Sequence, residues 1–186
     1  AKSDIKIMYN YSGTFSDTNK GKTLAATMYD SGADVIFVAA GNTGNGVISE
    51  AKERGNLDMS KDGEIKHWVV GVDKDQYEEG IFKGKDKNGK EYQKSVILTS
   101  AVKNIEVAVT KILNEIKENK FEKGEHIFGI KENGVGLPKE NPNLSDDNKT
   151  KIDKAIEELK SGKVEVVGTG DELKAKGLVT NLEGEL

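Results

Sequence analysis

The chain's 186 residues are enough for one full domain, or for one domain with appendages. Hydrophobic residues at 35% and charged residues at 32% suit a well-solvated globular protein. The formal charge of −4 gives it no global electrostatic reason to bind nucleic acid. The absence of cysteine excludes disulfides and thiol chemistry, and no apolar run approaches the roughly 20 residues of a membrane-spanning helix.

The chain opens without a visible signal peptide, almost directly on an apolar segment, Ile5 to Tyr11. This fits a mature domain or a piece trimmed of its leader. The alternation in Ile5-Lys6-Ile7-Met8-Tyr9 predicts a first strand, and Asn10 to Ser16 a polar loop after its carboxyl end. Ser16 or Asp17 can cap a helix from Thr18 to about Asp30, in which Leu24, Ala25 and Met28 recur at helical spacing. Asp34 to Ala39 reads as the central strand. Its run Val35-Ile36-Phe37-Val38 predicts burial on both faces. The turn GNTGNG (Gly41 to Gly46) leads into a helix carrying Val47, Ile48 and Ala51. By itself this turn fits a bare strand-to-helix connection as well as a place for a ligand.

Gly55 to Glu64 reads as a polar loop, and His67 to Val72 as a third strand ending at Asp73 and Asp75. Tyr77 to Gln93 is a hydrophilic excursion whose centre, Asp86 to Lys90, suits a hairpin tip or surface loop. Val96-Ile97-Leu98 predicts a fourth strand, with Thr99-Ser100 at the entry of a long helix. The stripe of that helix is Val102, Ile105, Val109, Ile112, Leu113 and Ile116. Beyond Gly124, His126 to Ile130 predicts a fifth strand. Ile152, Ala155, Ile156 and Leu159 then mark a helix from about Asp146 to Lys160. Val164 to Val167 suits a last strand, and the tail beyond Gly168 is thin in apolar residues and expected to be loosely held. Strand and helix alternating up to Ile130 predict an α/β three-layer sandwich with a mostly parallel sheet.

Motifs for catalysis are lacking. His67 and His126 head strands rather than end them, and read as surface or packing residues. No spacing of ligands suggests a metal, and neither a GxSxG nucleophile turn nor a GxxxxGK[ST] phosphate loop occurs, so no cofactor is expected. Four groups do fall after successive strand ends: Phe15, Gly41, Asp73 and Lys103. In a parallel sheet they converge on one edge. An aromatic there can stack on a planar base, a carboxylate can accept from a sugar diol, and a lysine can donate to the diol or pair with the carboxylate. This is a binding constellation without the base and nucleophile of hydrolysis.

YSGTFSDTNKGK (Tyr11 to Lys22), GADVIFVAAGNTGNGV (Gly32 to Val47), WVVGVDKDQ (Trp68 to Gln76), LTSAVKNIEVAV (Leu98 to Val109) and GIKENGVGL (Gly129 to Leu137) stand in one order. In that order and spacing they resemble the basic membrane protein group of ABC-transporter substrate-binding lipoproteins, which includes purine nucleoside receptors. The resemblance covers roughly Ile5 to Lys163. It implies a type I periplasmic-binding fold of two lobes that enclose a purine nucleoside such as guanosine, adenosine or inosine, and an ABC permease as partner. Phe15 would stack on the purine, and Gly41 would let backbone approach it. Asp73 would bind the ribose hydroxyls, assisted by Lys103, with Asp75 a weaker candidate.

Family members are nearly twice this length, so the resemblance implies that residues 1–137 form the second lobe. Residues 138–186 would be a return segment with one helix. The first lobe and the lipid-bearing cysteine that anchors the full-length protein outside the cytoplasm would lie elsewhere. The chain's Tyr77–Gln93 connection is longer than the family's. Two other readings stand beside this one: a Rossmann-like enzyme cradling a nucleotide phosphate on Gly41 to Gly46, and the sensor domain of a regulator.

Overall fold

The computed structural model describes residues 5–167 and 170–177. Its elements, in chain order, begin with α1 (Thr18–Asp30), β1 (Val35–Phe37), α2 (Thr43–Lys61) and β2 (Trp68–Asp73). After one 3-10 turn, Glu78–Gly80, come β3 (Ile81–Lys85), β4 (Glu91–Ser95) and β5 (Ile97–Lys103). The remainder is α3 (Ile105–Lys117), β6 (Val135–Gly136), α4 (Asp146–Lys160) and α5 (Gly170–Ala175). The main sheet has the order β1-β2-β5-β6. β1–β2 and β2–β5 are parallel, while β5–β6 is antiparallel. The expected α/β class with a mostly parallel sheet is the one observed.

The crossover between the parallel strands β2 and β5 is a β-hairpin rather than a helix. β3 and β4 pair antiparallel with their tip at residues 86–90, where Asp86 Oδ1 accepts from the amides of Asn88 and Lys90 at 2.8 and 2.9 Å. Phe82 and Tyr92 meet edge to face on this hairpin, and Phe82 joins the core against α2. The core gathers Ala25 and Tyr29 of α1, Val47, Ile48 and Ala51 of α2, and Val69, Val96 and Ile97 around the sheet.

Capping places two helices where the sequence puts them. Asp17 Oδ1 accepts from Lys20 N at 2.9 Å to start α1, and Ser145 Oγ accepts from Asn148 N at 3.2 Å to start α4. Elsewhere the structure corrects the sequence reading. Ile5 to Tyr9 forms no strand, and Ile7 is 86% exposed. Alternation alone does not make a strand, which also needs a neighbouring strand to complete its ladder. Among the described residues β1 is an edge strand, not a central one. Only Ile36 is buried within it, and Phe37 on the opposite face is 60% exposed.

The polar loop expected from Gly55 begins inside α2. A Cβ on Gly55 would lie 2.9 Å from Val96 Cγ1 and 3.2 Å from Phe82 Cζ, so here glycine serves close packing, not chain reversal. Gly44 and Gly46 are likewise helical. A Cβ on Gly46 would meet the Thr18 carbonyl oxygen at 1.9 Å, and one on Gly21 the Thr43 carbonyl oxygen at 2.0 Å. These glycines let α1 and α2 pack backbone against backbone, which leaves the phosphate-cradle reading of Gly41 to Gly46 without support.

β5 extends through Thr99 and Ser100 to Lys103, so Val102 lies in a strand. The long helix begins only at Ile105, after Asn104. No residue of α3 is buried, and Ile105, Val109, Leu113 and Ile116 are all exposed. His126 to Ile130 and Val164 to Val167 carry no strand; β6 instead follows the turn at Asn133-Gly134. Most of the expected loose tail lies outside the described residues, although part of it forms α5.

Candidate functional site

Phe15 lies on a loop fastened to the start of α2. Thr43, 1% exposed, donates through Oγ1 to Thr14 O at 3.1 Å and accepts there from Asp17 N at 3.1 Å. Thr43 N in turn donates to Phe15 O at 3.3 Å. With its backbone held this way, Phe15 remains 74% exposed. Gly41 has φ 55 and packs against Phe15: a Cβ there would be 3.0 Å from Phe15 O and 3.3 Å from Phe15 Cβ. Phe15 and Gly41 are thus in direct contact beyond the carboxyl end of β1.

Asp73 ends β2 and Lys103 ends β5, the next strand across. Lys103 Nζ lies 2.7 Å from Asp73 Oδ1, with both side chains more than half exposed. An ion pair so open to water adds at most about 1 kcal/mol to stability, so neither residue is explained by a need to hold the fold. The chain beyond β5 is pinned by β6. Asn104 N donates to Gly134 O and Asn104 Nδ2 to Asn133 O, each at 2.8 Å, and Lys103 pairs with Val135.

Because β1, β2 and β5 run parallel, the Phe15–Gly41 contact and the Asp73–Lys103 pair lie on the same carboxyl edge of the sheet. The four expected residues therefore stand as two pairs, Phe15 with Gly41 and Asp73 with Lys103, both on the carboxyl side of the parallel strands. Asp75 is otherwise engaged: its Oδ1 accepts from Tyr77 N at 3.0 Å at the start of the 3-10 turn. Two grooves, of about 460 Å³ along α3 and about 550 Å³ between residues 137–144 and α4, are lined by other residues. Among the described residues no group of three or more His, Asp and Glu is placed to hold a metal ion. His67 is tied to Asp58, with Nδ1 2.8 Å from Oδ2, at the opposite end of β2.

Thr43, Gln76 and Ser100 support the rim and do not stand out in sequence. Each lies within a quoted motif, yet only the fold shows that its polar atoms grip the loops that carry Phe15 and Asp73.

Comparison with known proteins gives this rim its context. Residues 1–168 match the Bmp family model, described as ABC transporter substrate-binding protein PnrA-like. The chain belongs to the Bmp family. Its similarity to named relatives is substantial. It is 41% identical over 166 residues to the ABC transporter nucleoside-binding protein BmpA of Lactococcus lactis subsp. cremoris, a match covering 89% of this chain and 45% of that protein. It is 38% identical over 164 residues to the CD4+ T-cell-stimulating antigen of Listeria monocytogenes, covering 88% of this chain and 44% of that protein. The chain thus spans under half the length of these relatives.

An ABC transporter system solute-binding protein from Aeropyrum pernix shares the fold, with a TM-score of 0.65 at 22% identity over 95% of this chain and 54% of that one. The Bmp family comprises substrate-binding proteins of ABC transporters, not enzymes. The matched residues include all four members of the rim.

Proposed function

We propose that the chain is the ligand-holding second lobe of an extracytoplasmic solute-binding protein that delivers purine nucleosides to an ABC permease. The observation that carries this reading is the pairing of Asp73 with Lys103 on the same sheet edge as the exposed Phe15 ring. Phe15 offers a flat apolar surface of purine size. The Asp73 carboxylate presents acceptors to a vicinal diol, with Lys103 supplying the complementary donor. Gly41 keeps the approach beside Phe15 free of a side chain.

Residues 1–137 form this half-site, and residues 138–186 return toward the partner lobe. The first lobe, which the family's greater length would supply, closes over the nucleoside by a hinge and removes base and ribose from water. The chain alone then provides about half of the contacts and binds weakly. A lipid at the amino terminus of the full-length protein would keep it at the membrane beside the permease.

The test is calorimetric titration of guanosine, adenosine and inosine into this chain and into the same chain joined to the first lobe of a relative. Tight binding by the joined protein alone supports the reading. Preference for a nucleotide over its nucleoside would contradict it, because Asp73 would repel a phosphate.

A further inference from the structure

Asp73 has φ 70, a backbone conformation uncommon for residues other than glycine. Lys74 N donates to Val72 O at 2.9 Å across it, closing a three-residue γ-turn on Asp73. The positive-φ form of this turn is rare and strained, and it persists only where the surroundings over-determine it. Two side chains do so here. Gln76 reaches back with Oε1 to accept from Val72 N at 2.9 Å, taking up the amide that enters the turn. Ser100 of β5 accepts with Oγ from Gln76 N at 3.1 Å, tying the far side of the turn to the neighbouring strand.

The clamp is built into the sheet. Ser100 is 0% exposed and sits opposite Gly71 in the β2–β5 register. A Cβ on Gly71 would lie 2.8 Å from both Gln76 Oε1 and Ser100 Oγ, so only glycine leaves room for the two polar atoms. Ser100 precedes Lys103 on the same strand, so one strand holds both the turn beneath Asp73 and the lysine paired with it.

We infer that Gln76 and Ser100 are positioning residues that hold Asp73 in its γ-turn, so that its carboxylate is preset toward a ligand's vicinal diol. The inference rests on the nucleoside reading above for the identity of that ligand, but the backbone effect stands independently of it. The clamp acts on the sugar and not on the base: its loss should weaken recognition of hydroxyls while leaving stacking on Phe15 intact.

The test compares Gln76→Met, which keeps the length and removes the acceptor, with Gln76→Glu, which restores an acceptor. Two quantities are read. In this chain, the NMR Cα shift and Cα–Hα coupling of Asp73 report its positive φ. In the two-lobed protein, the ratio of affinities for guanosine and 2′,3′-dideoxyguanosine reports diol recognition. Gln76→Met should abolish the positive-φ signature and lower the affinity ratio roughly tenfold, the equivalent of one hydrogen bond to a charged group. Dideoxyguanosine affinity should stay unchanged, and Gln76→Glu should recover both signals. Retention of the signature in Gln76→Met, or an equal loss of affinity for both ligands, would overturn the inference. If the unsubstituted protein does not distinguish the two ligands, the nucleoside reading fails, and the Asp73 signature alone decides the positioning role.

Discussion

Gly46 of α2 faces the carbonyl oxygen of Thr18 in α1 so closely that a Cβ would stand 1.9 Å from it. The two helices meet through backbone there, and the same junction fixes the loop that carries Phe15. A Gly46→Ala substitution therefore overpacks a contact whose other side is backbone and cannot rotate away. The gain of up to about 1 kcal/mol in helix propensity is outweighed by an overpacking cost of about 3 kcal/mol. Urea denaturation should show a net loss of about 2 kcal/mol or more, and unchanged stability would contradict the packing described.

Thr43 joins that loop to α2 through two hydrogen bonds of one buried hydroxyl. Thr43→Val keeps the shape but leaves Asp17 N and Thr14 O without this partner, and should cost about 1–3 kcal/mol. Amide hydrogen exchange at Asp17 should quicken more than exchange in α4, which lies outside the junction. Uniform quickening across the chain would show a global effect instead.

Tyr29 is buried, donates from its hydroxyl to Trp68 O at 3.0 Å and lies beneath the Arg54 guanidinium. Burial pushes the phenol well above its ordinary value of 10.0. A proton held more tightly in the folded state gives stability that is complete below about pH 10 and declines as the pH rises above it. Tyr29→Phe should cost about 1 kcal/mol at neutral pH and should flatten the alkaline decline. Urea melts at about pH 8 and about pH 11 compare the two slopes, and parallel slopes would contradict this assignment.

The positions of Gly41, Asp73 and Lys103 were legible because each lies at or just after the end of a strand, and a parallel sheet puts such ends on one edge. Among the described residues Phe15 follows no strand, and it reaches that edge through the contacts of its loop with Gly41 and Thr43. α1 and α4 were equally legible, α1 from its cap Asp17 and α4 from the helical spacing of Ile152, Ala155, Ile156 and Leu159, signals that are local to each segment. The misreadings share a different physics. Ile5 to Tyr9 has a strand's alternation, but strand formation depends on a partner that no local pattern supplies. Gly55 resembles a helix stop, yet its role is set by Val96 and Phe82, which pack against it from the β3–β5 region. Thr99 to Val102 has the apolar content of either element, and only pairing with β2 makes it strand. Gln76 and Ser100 were hidden because their effect on Asp73 requires β2 and β5 to be adjacent.

The most direct measurement is calorimetric titration of guanosine into the two-lobed protein, with Phe15→Ala and Asp73→Ala beside the unsubstituted form. Loss of a stacking ring or of a charged hydrogen-bond acceptor costs about 2 kcal/mol or more at a buried binding centre. Each substitution should therefore weaken binding by about thirtyfold while leaving the folded structure intact. Unchanged affinity in both variants would contradict the placement of the nucleoside on this rim.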